Sequence, residues 1–288
     1  MTSKCWQITF QPNQPIDEKF DEFLNSFFEV VSQNYNDTGN DEYIGYIGEN
    51  FNEKQMLKQA KILNIKLPPY EVIELKSENW LKDYVIKFDA FEICNFCIYG
   101  IHETSQPKTD KIPLQIYAAT AFGSNHQTTQ SCIRAISELH NFSFKPTNIL
   151  DIGTGSGILS ICAAKLWPSS KIIAGDIDDE AIIVTDSNAK NNKLDAQIKS
   201  YVSDGYKHKA IQTHAPYDLI LCNILANPLI TFAPDLSKNL KPNGYCILSG
   251  FVEDQVDDVI TAHEQQGLKL TKLYSLDNWR AALMQKVK

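Results

Sequence analysis

Apolar residues near the amino terminus follow two different periods, and each period predicts a different element. Trp6, Ile8 and Phe10 occupy alternate positions, as in a half-buried strand. From Asp17 the spacing becomes helical, which predicts an amphipathic helix. The apolar stripe of this helix consists of Phe20, Phe23, Leu24, Phe27, Phe28 and Val31. An aromatic stripe that faces one side at regular spacing indicates a packed core rather than a ligand site.

Further elements complete a predicted domain over residues 1–76. Residues 43–47 and 72–75 have the composition of strands, and Met56 and Ala60 mark a helix between them. The order β-α-β-(β)-α-β is typical of a small ferredoxin-like α+β fold. The segment contains no chemical constellation, so it is interpreted as a substrate-recognition domain.

Residues 77–112 are predicted to link this domain to the rest of the chain. A short helix is expected to begin at Ser77, and residues 91–101 have the pattern of a strand. Cys94 and Cys97 within that strand have the spacing of redox or zinc-binding pairs, but the sequence offers no second cysteine pair. Residues three apart on a strand also point to opposite faces. Buried structural thiols are therefore expected here.

Apolar segments of strand and helix length alternate from residue 113 to residue 288. Strands are predicted at residues 148–152, 171–177, 198–202, 217–222, 245–249, 268–274 and 279–284. Helices are predicted at residues 130–139, 158–167, 178–191 and 228–240, with a turn at 241–244 and a further helix along Val252, Val256, Val259 and Ile260. This alternation, closed by a hairpin, predicts a Rossmann-like seven-strand α/β domain with its ligand at the carboxyl ends of the strands.

Three glycines follow Asp151 at alternate positions, directly after an apolar strand: Gly153, Gly155 and Gly157. A dinucleotide fingerprint would need a glycine at the position of Ile158, and the lysine of a P-loop is absent. The segment looks like the nucleoside-binding turn of S-adenosylmethionine-dependent methyltransferases. In such a turn, backbone N–H groups come close to the ligand.

Two acids at the ends of later strands suit the same kind of ligand. Asp176 is placed to accept hydrogen bonds from ribose hydroxyls, and Asp204 is placed to reach the exocyclic amine of adenine. The alternative is a glycine turn in another kind of α/β domain, with Asp176 as a helix cap.

Composition limits the classes of function. The chain has 288 residues, of which 43% are hydrophobic, enough to bury the cores of two domains. Its formal charge of −8 argues against a nucleic-acid-binding surface and would suit a basic protein partner. No apolar run approaches the roughly 18 residues of a membrane span, and the amino terminus lacks the apolar core of a signal peptide. A cytoplasmic monomer without a metal site is expected.

Four segments together resemble the ribosomal protein L11 methyltransferase family. They are Asn-Ile-Leu-Ala at residues 223–226, the loop Phe-Gly-Ser-x-His-x-Thr-Thr at residues 122–129, Glu-Asn-Trp at residues 78–80 and the terminal strand around Trp279. The similarity runs from about Trp80 to the carboxyl terminus. It implies an enzyme that uses S-adenosylmethionine to methylate lysine side chains, and in some members the terminal amine, of a ribosomal protein. It also implies that the N-terminal domain recognises that substrate.

By this resemblance, Thr129, Gly153, Asp176 and Asn223 fall at the family's cofactor-contacting positions. Asp151, Gly155 and Asp204 join these positions, so the predicted cofactor-binding set is Thr129, Asp151, Gly153, Gly155, Asp176, Asp204 and Asn223.

The loop at residues 122–129 departs from the family pattern in two places. Asn125 stands where the family has a second glycine, and residues 118–120 read Ala-Ala-Thr where the family has Asp-Pro-Gly. Asparagine tolerates positive φ better than most residues, so the turn can persist. These changes are expected to affect closure of the loop most, and with it the range of substrates.

The expected chemistry is direct displacement, in which an amine nitrogen attacks the sulfonium methyl in line. We assign Asn223 the catalytic role: its side-chain oxygen and the backbone carbonyls of residues 223–225 would hold the hydrogens of the amine. The alternative is that Asn223 caps the following helix. His126 is a candidate proton acceptor, although a lone loop histidine is more often a hydrogen-bonded structural residue.

Two other functions stay open from the sequence. One is a related methyltransferase that acts on another protein or on a small amine; base methylation is disfavoured because residues 223–226 lack the Asn-Pro-Pro-Tyr pattern and its stacking aromatic. The other is a catalytically silent module that binds the cofactor, for which only the altered loop around Asn125 argues.

Overall fold

The structure, a computed structural model, divides the chain into two compact units, Met1–Tyr84 and Val85–Lys288. It describes residues 5–12, 18–28, 30–35, 41–47, 51–75, 89–103, 105–117 and 126–287. The helix predicted from Ser77 lies outside the described residues, and so do loop residues 118–125.

The first unit contains a four-stranded antiparallel sheet in the order β2-β3-β1-β4. Its elements are β1 (Cys5–Phe10), α1 (Glu18–Phe27), β2 (Val30–Tyr35), β3 (Asp41–Ile47), α2 (Glu53–Ile62) and β4 (Tyr70–Leu75). This element order and strand order are those of the ferredoxin-like fold, as predicted.

The aromatic stripe of α1 packs against the sheet, as its spacing predicts. The Phe10 side chain of β1 is fully buried. Its ring meets those of Phe20, Phe23 and Phe28 edge-on, with centroids 5.5, 6.1 and 5.8 Å away. Such edge-to-face pairs are the favoured aromatic geometry, so the stripe is core.

The end of α1 differs from the prediction. The helix ends at Phe27, and Val31, expected on the same stripe, instead pairs with Gly45 in the β2–β3 ladder. The Phe28 ring lies over Gly45 so closely that a Cβ there would sit 2.4 Å from Cγ of Phe28. Because apolar residues continue at helical spacing past the turn, periodicity alone could not locate the end of the helix.

The second unit begins with a three-stranded sheet, β5 (Phe91–Ile93), β6 (Phe96–Gly100) and β7 (Ile112–Ile116). The single strand predicted at residues 91–101 is therefore wrong: a two-residue turn interrupts it, and Cys94 in that turn has φ of 48°. Cys94 is exposed whereas Cys97 is buried, so the expectation of buried thiols holds only for Cys97.

The second unit continues with a seven-stranded sheet in the order β10-β9-β8-β11-β12-β14-β13. Its strands are β8 (Asn148–Ile152), β9 (Lys171–Asp176), β10 (Ile198–Val202), β11 (Tyr217–Asn223), β12 (Leu240–Val252), β13 (Leu268–Leu276) and β14 (Trp279–Lys286). The first five strands in that order are parallel, and β14 and β13 join antiparallel. This sheet confirms the predicted Rossmann-like fold class.

Helices cover both faces of this sheet. They are α3 (Gln127–Asn141), α4 (Ile158–Leu166), α5 (Asp179–Asn191), α6 (Lys209–His214), α7 (Ala226–Asn239) and α8 (Val256–Glu264). Neighbours on β8 enter different cores: Ile149 packs with α3 and α4, and Leu150 packs with α7 and α8. Burial of the strand on both faces explains why the apolar residues Ile149 and Leu150 occupy successive positions in the sequence. Within the described ranges, no helix is long and apolar enough to cross a membrane.

The turn predicted at residues 241–244 lies inside β12. Pairing with β11 passes from Leu240 directly to Tyr245, so the four residues between them bulge out of the ladder, with Asn243 at φ of 62°. Beyond the bulge, β12 runs parallel to β11. The order of strands reverses at β8, which pairs with both β9 and β11, and ligands of open α/β sheets bind at such a point.

Candidate active site

The glycine turn after β8 is folded onto the neighbouring strand. The N–H groups of Gly153 and Thr154 both point to the carbonyl oxygen of Gly175, at 2.8 and 3.2 Å. Gly153 has φ of 69°, a conformation that favours glycine. The short strand and the glycine spacing therefore produce the tight turn that the sequence predicts.

Asp151 lies beneath this turn. Its side chain is only 1% exposed, and Oδ2 accepts hydrogen bonds from Thr154 Oγ1 at 2.9 Å and Ser160 Oγ at 2.6 Å. Oδ1 has no hydrogen-bond partner among the described residues. Burial raises the pKa of Asp151 to about 6, although the two hydroxyl donors oppose the shift. Asp151 thus stabilises the turn from beneath through these two hydrogen bonds.

The free energy of unfolding is expected to depend on pH because of this buried carboxyl. The pKa of Asp151 is raised to about 6 when folded, against about 3.9 for an exposed aspartate. The folded protein therefore binds this proton more tightly, and stability present below pH 4 is lost as the pH rises to 6. Relative to Asp151→Asn, the free energy of unfolding should fall by roughly 3 kcal/mol across that window. Denaturant titrations at several pH values measure this, and a flat difference would contradict it.

Asp176, at the end of β9, joins the turn from the side. Its Oδ2 accepts the Gly155 N–H at 2.9 Å, and Oδ1 accepts the Asp178 N–H at 3.2 Å. The cap of α5 is Asp178, whose side chain accepts the Glu180 N–H at 2.9 Å. The alternative role of Asp176 as the helix cap is therefore wrong.

Helix α5 holds the other side of the turn through two residues that sequence reasoning missed. Thr185 Oγ1 donates to the Gly155 carbonyl at 2.9 Å, and Asn188 Nδ2 donates to the Ser156 carbonyl at 2.8 Å. Asn188 also binds both the N–H and the carbonyl of Tyr117, at 2.7 and 3.0 Å. Both side chains are fully buried. The available signal was polar residues three apart on the buried face of a helix.

Asn223 closes the opposite side, at the end of β11. Its Nδ2 lies 3.4 Å from Thr129 Oγ1 in the first turn of α3, which leaves the side-chain oxygen to act as an acceptor. Leu225, not Asn223, occupies the N-cap of α7. The geometry therefore does not support the alternative that Asn223 caps the following helix.

These groups surround one cavity of about 250 Å³. Of the predicted set, the cavity is lined by Thr129, Gly153, Gly155, Asp176 and Asn223. Asp151 lies below the turn, and Asp204 is half-exposed and paired with Lys207 at 2.5 Å. The structure therefore brings five of the seven predicted residues together and leaves those two acids outside the lining.

His126 and Trp279 stand at the edge of the cavity. His126 is the N-cap of α3 and its Nδ1 accepts the Thr128 N–H at 3.3 Å. Its ring meets Trp279, which lines the cavity, edge-on at 5.0 Å. Burial lowers the pKa of His126. These contacts describe a structural residue better than a proton acceptor.

Comparison with known proteins identifies the family. Residues 10–287 match the family model described as ribosomal protein L11 methyltransferase (PrmA). The chain belongs to this family. It is a methyltransferase, and its cofactor is S-adenosylmethionine.

Individual relatives agree. Over 213 residues the chain is 36% identical to a ribosomal protein L11 methyltransferase of Brucella suis, covering 74% of each protein. It is 34% identical over 214 residues to one of Chelativorans sp., covering 74% of the chain and 73% of the relative. A crystal structure of a ribosomal protein L11 methylase from Lactobacillus delbrueckii subsp. bulgaricus matches with a TM-score of 0.59 at 28% identity, over 67% of the chain and 95% of that protein.

The cavity suits this cofactor. Above Gly155 the described residues leave open space, because a Cβ built there meets no atom within 4 Å. Asp176 presents carboxylate oxygens, the acceptors that two ribose hydroxyls require. Most of the remaining lining is apolar or backbone, as in other small-molecule sites.

Proposed function

We propose that this methyltransferase acts on amines of ribosomal protein L11, above all lysine side chains and also the terminal amine. The observation that carries the proposal is that Asp176 and Asn223 line the same cavity from opposite sides. One is an acceptor suited to ribose hydroxyls, and the other is an acceptor suited to the hydrogens of an amine. Relatives that bear the name of ribosomal protein L11 methyltransferase supply the substrate.

The residues of the chain perform three tasks. Asp176 and the glycine turn hold the nucleoside, and Thr129 steadies the amide of Asn223. Bound S-adenosylmethionine supplies an electrophilic methyl group. The Asn223 oxygen and the carbonyls that follow it accept hydrogens of the amine and direct its lone pair into the cavity. His126 is not needed as a base, because desolvation on entry into the cavity favours loss of the ammonium proton to solvent, and the neutral amine then has its lone pair available.

We also propose separate roles for the domains of the chain. Compact units divided after Tyr84 support an N-terminal recognition domain at residues 1–76, a linker at 77–112 and a methyltransferase domain at 113–288. The formal charge of −8 supports docking of a basic protein. The protein is proposed to work as a cytoplasmic monomer.

Transfer of labelled methyl groups from S-adenosylmethionine to purified, unmethylated L11 tests the proposal. Hydrolysis and amino-acid analysis then show whether the label is methyl-lysine, and Asp176→Ala is measured alongside. Methyl-lysine in L11 that disappears with the variant is the expected result. Label in another protein or in small amines, with L11 unlabelled, would replace the substrate. Cofactor binding without transfer to any cell fraction would instead identify a silent module.

A further inference from the structure

Ile224 lies in the turn between β11 and α7, directly after Asn223. Its side chain fills the space beside Gly153, the first glycine of the glycine turn after β8, which is called the cofactor turn below. A Cβ built on Gly153 would lie 2.1 Å from Ile224 Cγ2 and 3.7 Å from Ile224 Cβ. No side chain at position 153 could share that space, so the two segments meet in direct contact.

The backbone of Ile224 is held equally closely on its other side. Its N–H donates to the Ser249 carbonyl at 3.0 Å. The next residue of β12, Gly250, has φ of 99° and is the extra residue where pairing with β14 shifts register. A Cβ built on Gly250 would lie 2.1 Å from the Ile224 carbonyl oxygen and 2.6 Å from its carbonyl carbon.

We propose that Ile224 is a positioning residue, wedged between the two glycines, that fixes the Asn223 side chain and the following carbonyls relative to the cofactor turn. The wedge connects the two halves of the cavity: its side chain rests on the turn that holds the nucleoside, and its backbone carries the groups that hold the amine. The inference rests on the proposed function, because it explains how the amine acceptors keep their distance from the cofactor.

Precise distance matters more for transfer than for cofactor binding. Reacting atoms must approach to about 3–3.5 Å, and a displacement of about 1 Å can cost a hundredfold in rate. Asp176, the proposed acceptor for the ribose hydroxyls, is placed at the end of β9 by a separate contact with the Gly155 N–H. A shift of Ile224 should therefore lower turnover while leaving most cofactor affinity in place.

Two substitutions with matched controls test whether Ile224 positions the site. Ile224→Ala removes the side chain, and Ile230→Ala is its control, because Ile230 is also half-buried against the same core but lies outside the cavity lining. Gly250→Ala disturbs the backbone contact. Gly267→Ala is its control, because Gly267 has φ of 82° and its Cβ would meet no described atom within 4 Å.

We expect Ile224→Ala and Gly250→Ala to lower kcat by about 10- to 100-fold, with the Kd for S-adenosylhomocysteine within about threefold of the unmodified protein. Both controls should keep their kcat, and all four folded variants are compared by thermal unfolding. Equal kcat for Ile224→Ala and Ile230→Ala would overturn the inference, as would equal losses of kcat and cofactor affinity. If Gly250→Ala fails to fold, the comparison of kcat between Ile224→Ala and Ile230→Ala tests the inference by itself.

A double-mutant cycle tests the wedge without L11. Gly153→Ala should weaken S-adenosylhomocysteine binding, and Ile224→Ala added to it should recover part of that loss, because the collision with Cγ2 is removed. Additive effects on Kd would overturn the contact. If the unmodified protein does not methylate L11, the proposed function fails while this cycle still decides the wedge.

Discussion

Asp176→Ala is expected to lower affinity for S-adenosylmethionine by about a hundredfold or more. Hydrogen bonds to a charged group are each worth about 1.5–3 kcal/mol, and a ribose diol makes two of them. The substitution also removes the acceptor of the Gly155 and Asp178 N–H groups, at 2.9 and 3.2 Å, so the turn itself loosens. Isothermal titration with S-adenosylhomocysteine measures the effect.

Asp204→Ala is the matched control for that experiment. Asp204 also follows a parallel strand at the same edge of the sheet, but its half-exposed carboxylate pairs with Lys207 and does not line the cavity. We expect its Kd to stay within about threefold, as for other exposed ion pairs. Unchanged binding in Asp176→Ala would contradict the assignment. A large loss in Asp204→Ala would instead support the adenine contact that the sequence suggests.

Asn223→Ala is expected to lower kcat by about 100- to 1,000-fold while the cofactor Kd changes only a few-fold. A lysine with a pKa of about 10.4 is mostly protonated at pH 7, and its neutral form costs roughly 4–5 kcal/mol. The site must favour that neutral form and aim its lone pair, and groups that orient reactants act mainly on turnover. Loss of the Asn223 oxygen removes one of the acceptors that orient the amine.

Two further variants sharpen this prediction. Asn223→Asp keeps an acceptor but places a negative charge beside the amine, which favours the ammonium, so its rate should rise only at higher pH than for the unmodified protein. Asn227→Ala makes the same truncation on the exposed side of α7 and should leave kcat unchanged. Equal, small losses of turnover and cofactor affinity in Asn223→Ala would contradict the catalytic role.

The strands and the glycine turn could be predicted from the sequence because their causes are local. β8 was predicted with its observed limits, Asn148–Ile152, since an apolar run bounded by polar residues and glycine leaves little choice. Asp176 was placed correctly for a similar reason: it ends an apolar strand, and parallel strands end at one edge of the sheet.

Local pattern failed where a specific contact between two residues made the decision. The end of α1 depends on Phe28 packing over Gly45, and the turn at Cys94 depends on pairing of Ile93 with Phe96. Asp204 looked equivalent to Asp176 in the sequence. The structure instead turns its carboxylate toward Lys207.

The class of fold, the family and five of the residues that line the cavity could be predicted from the sequence, because each depends on short motifs whose spacing is kept in the local structure. The contacts that hold the site together could be seen only in the folded structure. Asp151 acts from below, α5 braces the turn, and Ile224 fits between Gly153 and Gly250. The contacts of α5 and of Ile224 join segments far apart in the chain, and a close approach between such segments leaves no periodic trace in either one.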